Sequence, residues 1–230
     1  MFDPFVFSKK TVLMQRLSDL VRTGHHFYVS GSIPLEKAAG LAVKLDGLYD
    51  VDQGKLAASR QRKKGSASFR LLMFFADGET NLLWFLLRTD GEIPEAATRE
   101  KWRDAITDRI QLTGYELVRL PRVGSKNPAY TWRYTRTQHD ELRNSLLQAI
   151  RTKRDDQVRQ LIHTLWRSPG FAGTRAQVKK FGDLIKSEWK RSRGSDEMPE
   201  IPTRLGYVRR LADKGARLSS LVAPNKGVKR

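Results

Sequence analysis

Apolar residues first recur at helical spacing in Val12, Leu13, Leu17, Leu20 and Val21, with Ser8 placed to cap the helix and Gly24 to end it. His26–Ile33 then reads as a short strand. Ser32 and Pro34 open a second helix, with Leu35, Ala38, Ala39, Ala42 and Leu45 on one side and Gly47 near its end. A polar, Gly-containing connection, Asp52–Ser68, leads to two strands, Phe69–Ala76 and Asn81–Arg88, joined through Asp77-Gly78 as a hairpin. The second of these is apolar on both faces, which suits a central strand. Pro94 begins a third predicted helix in which Trp102, Ile106 and Ile110 lie four residues apart, ending at Gly114. Tyr115–Pro121 and Ala129–Arg136 form a second hairpin. The order α-β-α-β-β-α-β-β predicts an α+β fold: a mixed, largely antiparallel sheet with helices on one face, over residues 1–136.

From Thr137 the pattern turns helical. Leu142, Leu146, Ala149 and Ile150 mark one helix, and Val158, Leu161, Ile162, Leu165 and Trp166 a second. After Ser168-Pro169-Gly170, Thr174 is placed to cap a helix that turns Val178, Phe181, Ile185 and Trp189 inward. This helical region spans 137–194. Ser192–Pro202 reads as a linker, Thr203–Asp213 as a short helix and Val222–Arg230 as a frayed basic tail, so residues 195–230 form a linker and tail.

Charge changes the picture. Among 230 residues, 43 Lys and Arg against 25 Asp and Glu give a net charge of +18, which points to a polyanionic partner and says nothing of fold. The excess is concentrated. Ala58–Phe74 and Arg119–Arg136 each carry five bases and no acid, while Phe75–Val118 between them holds nine acids against five bases. Cysteine is absent, which excludes thiol catalysis, disulfides and Cys-based zinc sites and fits a reducing cytoplasm. The longest apolar run, Leu82–Leu87, is far short of the roughly 20 residues of a membrane span. Met1–Lys10 has Asp3, Pro4 and no apolar core, so no secretory signal is expected.

The expected partner is therefore nucleic acid, DNA ahead of RNA, held mainly by phosphate contacts. Three groups of residues are candidates to hold it. The second hairpin offers Arg119, Arg122, Lys126, Arg133 and Arg136, with Tyr130, Trp132 and Tyr134 on alternate positions. If that aromatic face is open it is a stacking platform for single strands; if it is core, the bases still project. The second candidate is the segment with Arg60, Arg62, Lys63 and Lys64, whose Gly65 and Ser66 suit a loop. The third is the Thr174 helix, which places Arg175, Lys179, Lys180, Lys186 and Lys190 on its outer surface.

Catalytic candidates are sparser. His25, His26 and Tyr28 could supply a base and a charge-stabilising group for metal-independent nucleic-acid cleavage, the alternative to pure binding. Adjacent strand residues point to opposite faces, so the two histidines do not converge on one site in a regular strand. Asp50 and Asp52 could hold Mg²⁺ with a third acid, which no neighbour supplies; no metal or cofactor is expected. A further alternative is a subunit of a nucleoprotein complex whose helical region docks on other proteins.

Overall fold

The computed structural model describes residues 2–122 and 124–222, without the side chains of Arg122 and Ser125. The expected basic tail lies, after Val222, outside the described residues. The chain forms two compact units, Met1–Asp108 with Leu211–Arg230, and Arg109–Arg210. The division falls at Asp108, ahead of the second hairpin, and the C-terminal segment returns to the first unit.

In the first unit the elements are β1 (Phe5–Phe7), α1 (Lys10–Arg22), β2 (Phe27–Pro34), a 3₁₀ turn (Leu35–Lys37), α2 (Ala38–Tyr49), α3 (Lys55–Lys63), β3 (Phe69–Phe74), β4 (Asn81–Arg88), α4 (Glu95–Thr98) and β5 (Arg103–Asp104). The second unit holds β6 (Gln111–Leu112), β7 (Tyr115–Arg122), β8 (Ser125–Tyr134), α5 (Arg136–Arg151), α6 (Asp155–Trp166) and α7 (Ala172–Arg193), and the chain ends in the first unit with β9 (Gly215–Arg217) and α8 (Leu218–Val222). The fold is α+β.

The first unit is built on a mixed six-stranded sheet of order β5-β2-β4-β3-β1-β9, in which the β1–β3 pair is parallel and the other pairs antiparallel. As the all-apolar pattern implies, β4 is central. On one face Val6, Met73 and Leu82 pack with Ala38, Ala42 and Leu218 from α2 and α8. Leu45, Tyr49, Phe69 and Leu86 continue that layer, with Tyr49 stacked on Phe69 at 5.0 Å. The alternate residues Phe7, Phe74, Phe85 and Leu87 are buried on the other face, and α1 runs along β1 and β3. Gly31 is where β2 passes under the Trp84 indole: a Cβ there would meet the ring at 2.8 Å.

Four expectations need correction. The Asp52–Ser68 connection contains α3, a helix of good helix formers that buries only Ala58 and so leaves no apolar stripe to read. The helix predicted from Pro94 is a single turn, Glu95–Thr98. After it the Trp102 indole donates to the Ala97 carbonyl at 2.7 Å, Ile106 is 48% exposed and β5 pairs with β2. Thr203–Asp213 is not helical, and the next element, β9, is a strand paired with β1. Neither predicted cap is made by its side chain: α1 begins after Lys9, and Thr174 lies inside α7, buried.

The second unit is a three-stranded antiparallel sheet, β6-β7-β8, packed with α5, α6 and α7. Leu117, Trp132, Leu146, Ile150, Val158, Leu165, Phe181 and Ile185 are buried at its core. Tyr115 stacks on Tyr134 at 4.9 Å, Tyr134 meets Phe181 edge-on, and the Tyr134 hydroxyl hydrogen-bonds that of Ser168. Glu188 of α7 accepts from Arg151 of α5, from Arg191 and from Ser192, and the two guanidiniums hold its carboxyl down at about 2.

The start of α7 lies against the edge strand β8. The Gly173 amide donates to the Thr131 hydroxyl (3.1 Å) and the Thr174 hydroxyl to the Trp132 carbonyl (3.1 Å), while the Gln177 amide both accepts from the Tyr134 N–H and donates to its carbonyl. A Cβ on Gly173 would stand 2.6 Å from the Trp132 carbonyl oxygen. Gly173→Ala should therefore lower stability by about 1–3 kcal/mol, the usual cost of overpacking. Gly40→Ala, in the interior of α2 with open space at its Cβ position, should raise it by about 0.5–1 kcal/mol. Denaturant unfolding of the two variants beside the parent chain checks both signs.

Candidate nucleic-acid interface

The β7–β8 register sets the charge layout of the second unit. Glu116 lies opposite Arg133, and the Arg133 Nε donates to Glu116 Oε1 at 2.7 Å. Arg109 reaches the same carboxylate from before β6, its Nη1 lying 3.2 and 3.0 Å from the two oxygens. The Glu116 side chain is 10% exposed, against 45% for Arg109 and 33% for Arg133. One nearly buried acid thus holds two partly exposed guanidiniums.

These three side chains line a groove of about 500 Å³ with Arg136, His139 and Lys180. Arg136, 96% exposed, stands 3.7 Å from Asp140. The half-buried His139 ring lies against Phe181 at 4.7 Å, with Nδ1 3.3 Å from Asp140. Four basic side chains thus line a groove with one carboxylate, Glu116, in its wall, and a second, Asp140, pairs with Arg136. Of the residues marked out in the sequence, the groove gathers Arg133, Arg136 and Lys180; Arg109, Glu116 and His139 join them unannounced. The expected hairpin does not give the cross-strand partner of Arg133, because a bulge between Leu120 and Arg122 shifts the register. Pairing the expected strands at Pro121 and Ala129 would have set Glu116 opposite Tyr134 instead.

The rest of the second hairpin is divided. Arg119 and Lys126 are exposed, Tyr130 is half-buried, and the Arg122 side chain lies outside the described residues. Trp132 is fully buried and Tyr134 nearly so, so the open stacking face is absent and the alternative reading of that face, as core, is the one present. The bases of α7 are divided as well. Lys180 enters the groove, whereas Arg175, Lys179 and Lys186 line a separate depression of about 340 Å³ beside Asp183. There the Arg175 guanidinium sits 3.3 Å above the Tyr207 ring. Lys190 is exposed beyond both.

In the first unit Arg60, Arg62 and Lys63 lie on α3 and Lys64 caps its C-terminus, all exposed, with Arg62 Nη1 donating to Ser68 at 3.2 Å. They sit on a helix and not on the loop that Gly65 and Ser66 suggested; Gly65, at φ +87°, lies just past its end. The catalytic candidates do not gather. His25 is buried, 4% exposed, and neither ring nitrogen has a hydrogen-bond partner among the described residues. His26 is half-buried and its carbonyl accepts from the Ala105 N–H. Tyr28 is buried, its hydroxyl donates to the Asp108 carbonyl at 3.1 Å, and burial pushes it up to about 12. Asp50, at φ +50°, closes α2 and accepts from Gln53, and the Asp52 N–H donates to Asp46, so the pair forms a turn. Among the described residues no three His, Asp or Glu side chains gather as a metal site, and no helix is long and apolar enough to cross a membrane. The chain matches no protein-family model, no curated protein and no solved structure.

Burial, and then the nearby Arg70, lowers His25 to about 4. Its folded value lies below the ordinary 6.5, so the unfolded chain binds the extra proton between these two values. Stability is complete above pH 6.5 and falls as pH drops toward 4. Unfolding midpoints in the upper part of this range, above the ordinary carboxylate values at which groups such as Glu188 take up protons, should show an uptake of about one proton on unfolding that His25→Phe abolishes. An unchanged slope in the variant would refute this account of His25.

Proposed function

We propose that this chain binds nucleic acid, DNA ahead of RNA, chiefly through its phosphates. The observation that carries the reading is the groove lined by Arg109, Arg133, Arg136 and Lys180, in whose wall Glu116 is the one carboxylate. It adjoins a hairpin with no acid from Leu117 to His139, in a chain of net charge +18. Guanidinium forks match phosphate geometry, and each neutralised phosphate releases counterions. Arg119 and Lys126 on the hairpin, and Arg60, Arg62, Lys63 and Lys64 on α3, extend the cationic surface of their own units. The exposed residues are mostly Lys and Arg, which position a backbone without reading base edges. As part of the same reading the cysteine-free chain is assigned to the cytoplasm.

Six phosphate contacts give a slope of log affinity against log salt near −5, a loss of about a thousandfold between 50 and 200 mM. Titration of a short DNA duplex over that range is the test, and a flat response would overturn the reading. Arg136→Gln with Lys180→Gln, both at exposed positions, should flatten the slope by about two and weaken all sequences alike.

A further inference from the structure

The β7–β8 hairpin changes character part-way along its length. Tyr115–Val118 and the facing Thr131, Trp132 and Tyr134 are buried, while Arg119, Pro121, Gly124 and 126–129 are exposed. Four residues of β7, Arg119–Arg122, continue past the buried part. At about 3.3 Å per residue they extend about 13 Å. Arg119 and Lys126 lie on this arm, and no acid does.

We infer that the ligand is B-form duplex DNA and that this arm enters its major groove. The inference rests on the nucleic-acid reading above and narrows it to one form of the polymer. Three dimensions argue for it. The major groove of B-DNA is about 12 Å wide and 8.5 Å deep and admits a two-stranded β-ribbon. The arm, about 13 Å long, can therefore reach the base edges while the cations at its base meet the backbone. The minor groove is only about 6 Å wide, and two strands about 4.8 Å apart fill it before any side chain is added. Duplex RNA is excluded by shape, since its major groove is deep and too narrow for side chains to read. Single strands are disfavoured on this arm because the hairpin's own rings are not open for stacking: Trp132 and Tyr134 are core, and Tyr130 is half-buried.

The test uses the full chain at one salt concentration with five probes: a DNA duplex, the RNA duplex of the same sequence, the DNA single strand, the DNA duplex saturated with netropsin in its minor groove, and a DNA duplex whose cytosines carry glucosylated hydroxymethyl groups in the major groove. Glucosylation should weaken binding about tenfold or more, the scale of a lost base-edge contact. The RNA duplex should lose as much, and netropsin should change little. In a second chain, Pro121–Pro128 is replaced by Asn-Gly, which closes the observed Leu120–Ala129 pair with a two-residue turn. This variant should bind plain and glucosylated duplexes alike. Equal affinity of the parent chain for DNA and RNA duplexes, or indifference to glucosylation, while the separate salt titration of the DNA duplex stays steep, overturns the arm and leaves the phosphate reading standing. Binding to none of the probes at low salt overturns both.

Discussion

The contact between the first turns of α7 and the edge of β8 governs the second unit. An edge strand presents unpaired backbone groups that invite another strand. Here the helix takes them up. Thr174 donates to the Trp132 carbonyl, and the Gln177 amide bonds both backbone groups of Tyr134 as a neighbouring strand would. The approach is possible because residue 173 has no Cβ to strike the Trp132 carbonyl. Gly173, Gln177 and Lys180 share one helical face, so the spacing that covers the strand edge also brings Lys180 to the groove lined by Arg133 and Glu116.

That shared face explains why the bases of α7 do not act together. Lys180 falls one turn beyond Gln177 on the strand side. Arg175, Lys179 and Lys186 fall at intervals of four and seven on another side, where Arg175 is already occupied by the Tyr207 ring. A count of positive residues along the helix sums two surfaces. Helical geometry separates them.

Elements whose burial is periodic and local were legible in the residues: α1, the β3–β4 and β7–β8 hairpins, and the three helices α5, α6 and α7. The failures have physical causes. α3 buries only Ala58, so it has no stripe to detect. The helix predicted from Pro94 to Gly114 rested on Trp102, Ile106 and Ile110 lying four apart. Trp102 and Ile110 belong to different units, and Ile106 is exposed. β9 is three residues long and exists through pairing with β1, some 210 residues earlier, which no local pattern encodes. In the candidate site the exposed bases were visible as charges. Their grouping was not, because it depends on a bulge and on the packing of a helix.

On the nucleic-acid reading, the acid at the centre of the groove aids phosphate recognition despite lowering the formal charge. Free arginine side chains hold about 2 kcal/mol of rotamer freedom that a bound phosphate must remove. Arg109 and Arg133, both partly exposed, have surrendered much of theirs to Glu116, which their guanidiniums hydrogen-bond. Tied to one carboxylate, both also lie well within the roughly 8 Å over which charges reinforce each other at physiological salt. Cations scattered over the surface share neither advantage. On that reading, the ordering of two arginines by a buried glutamate does more to locate the proposed surface than the net charge does.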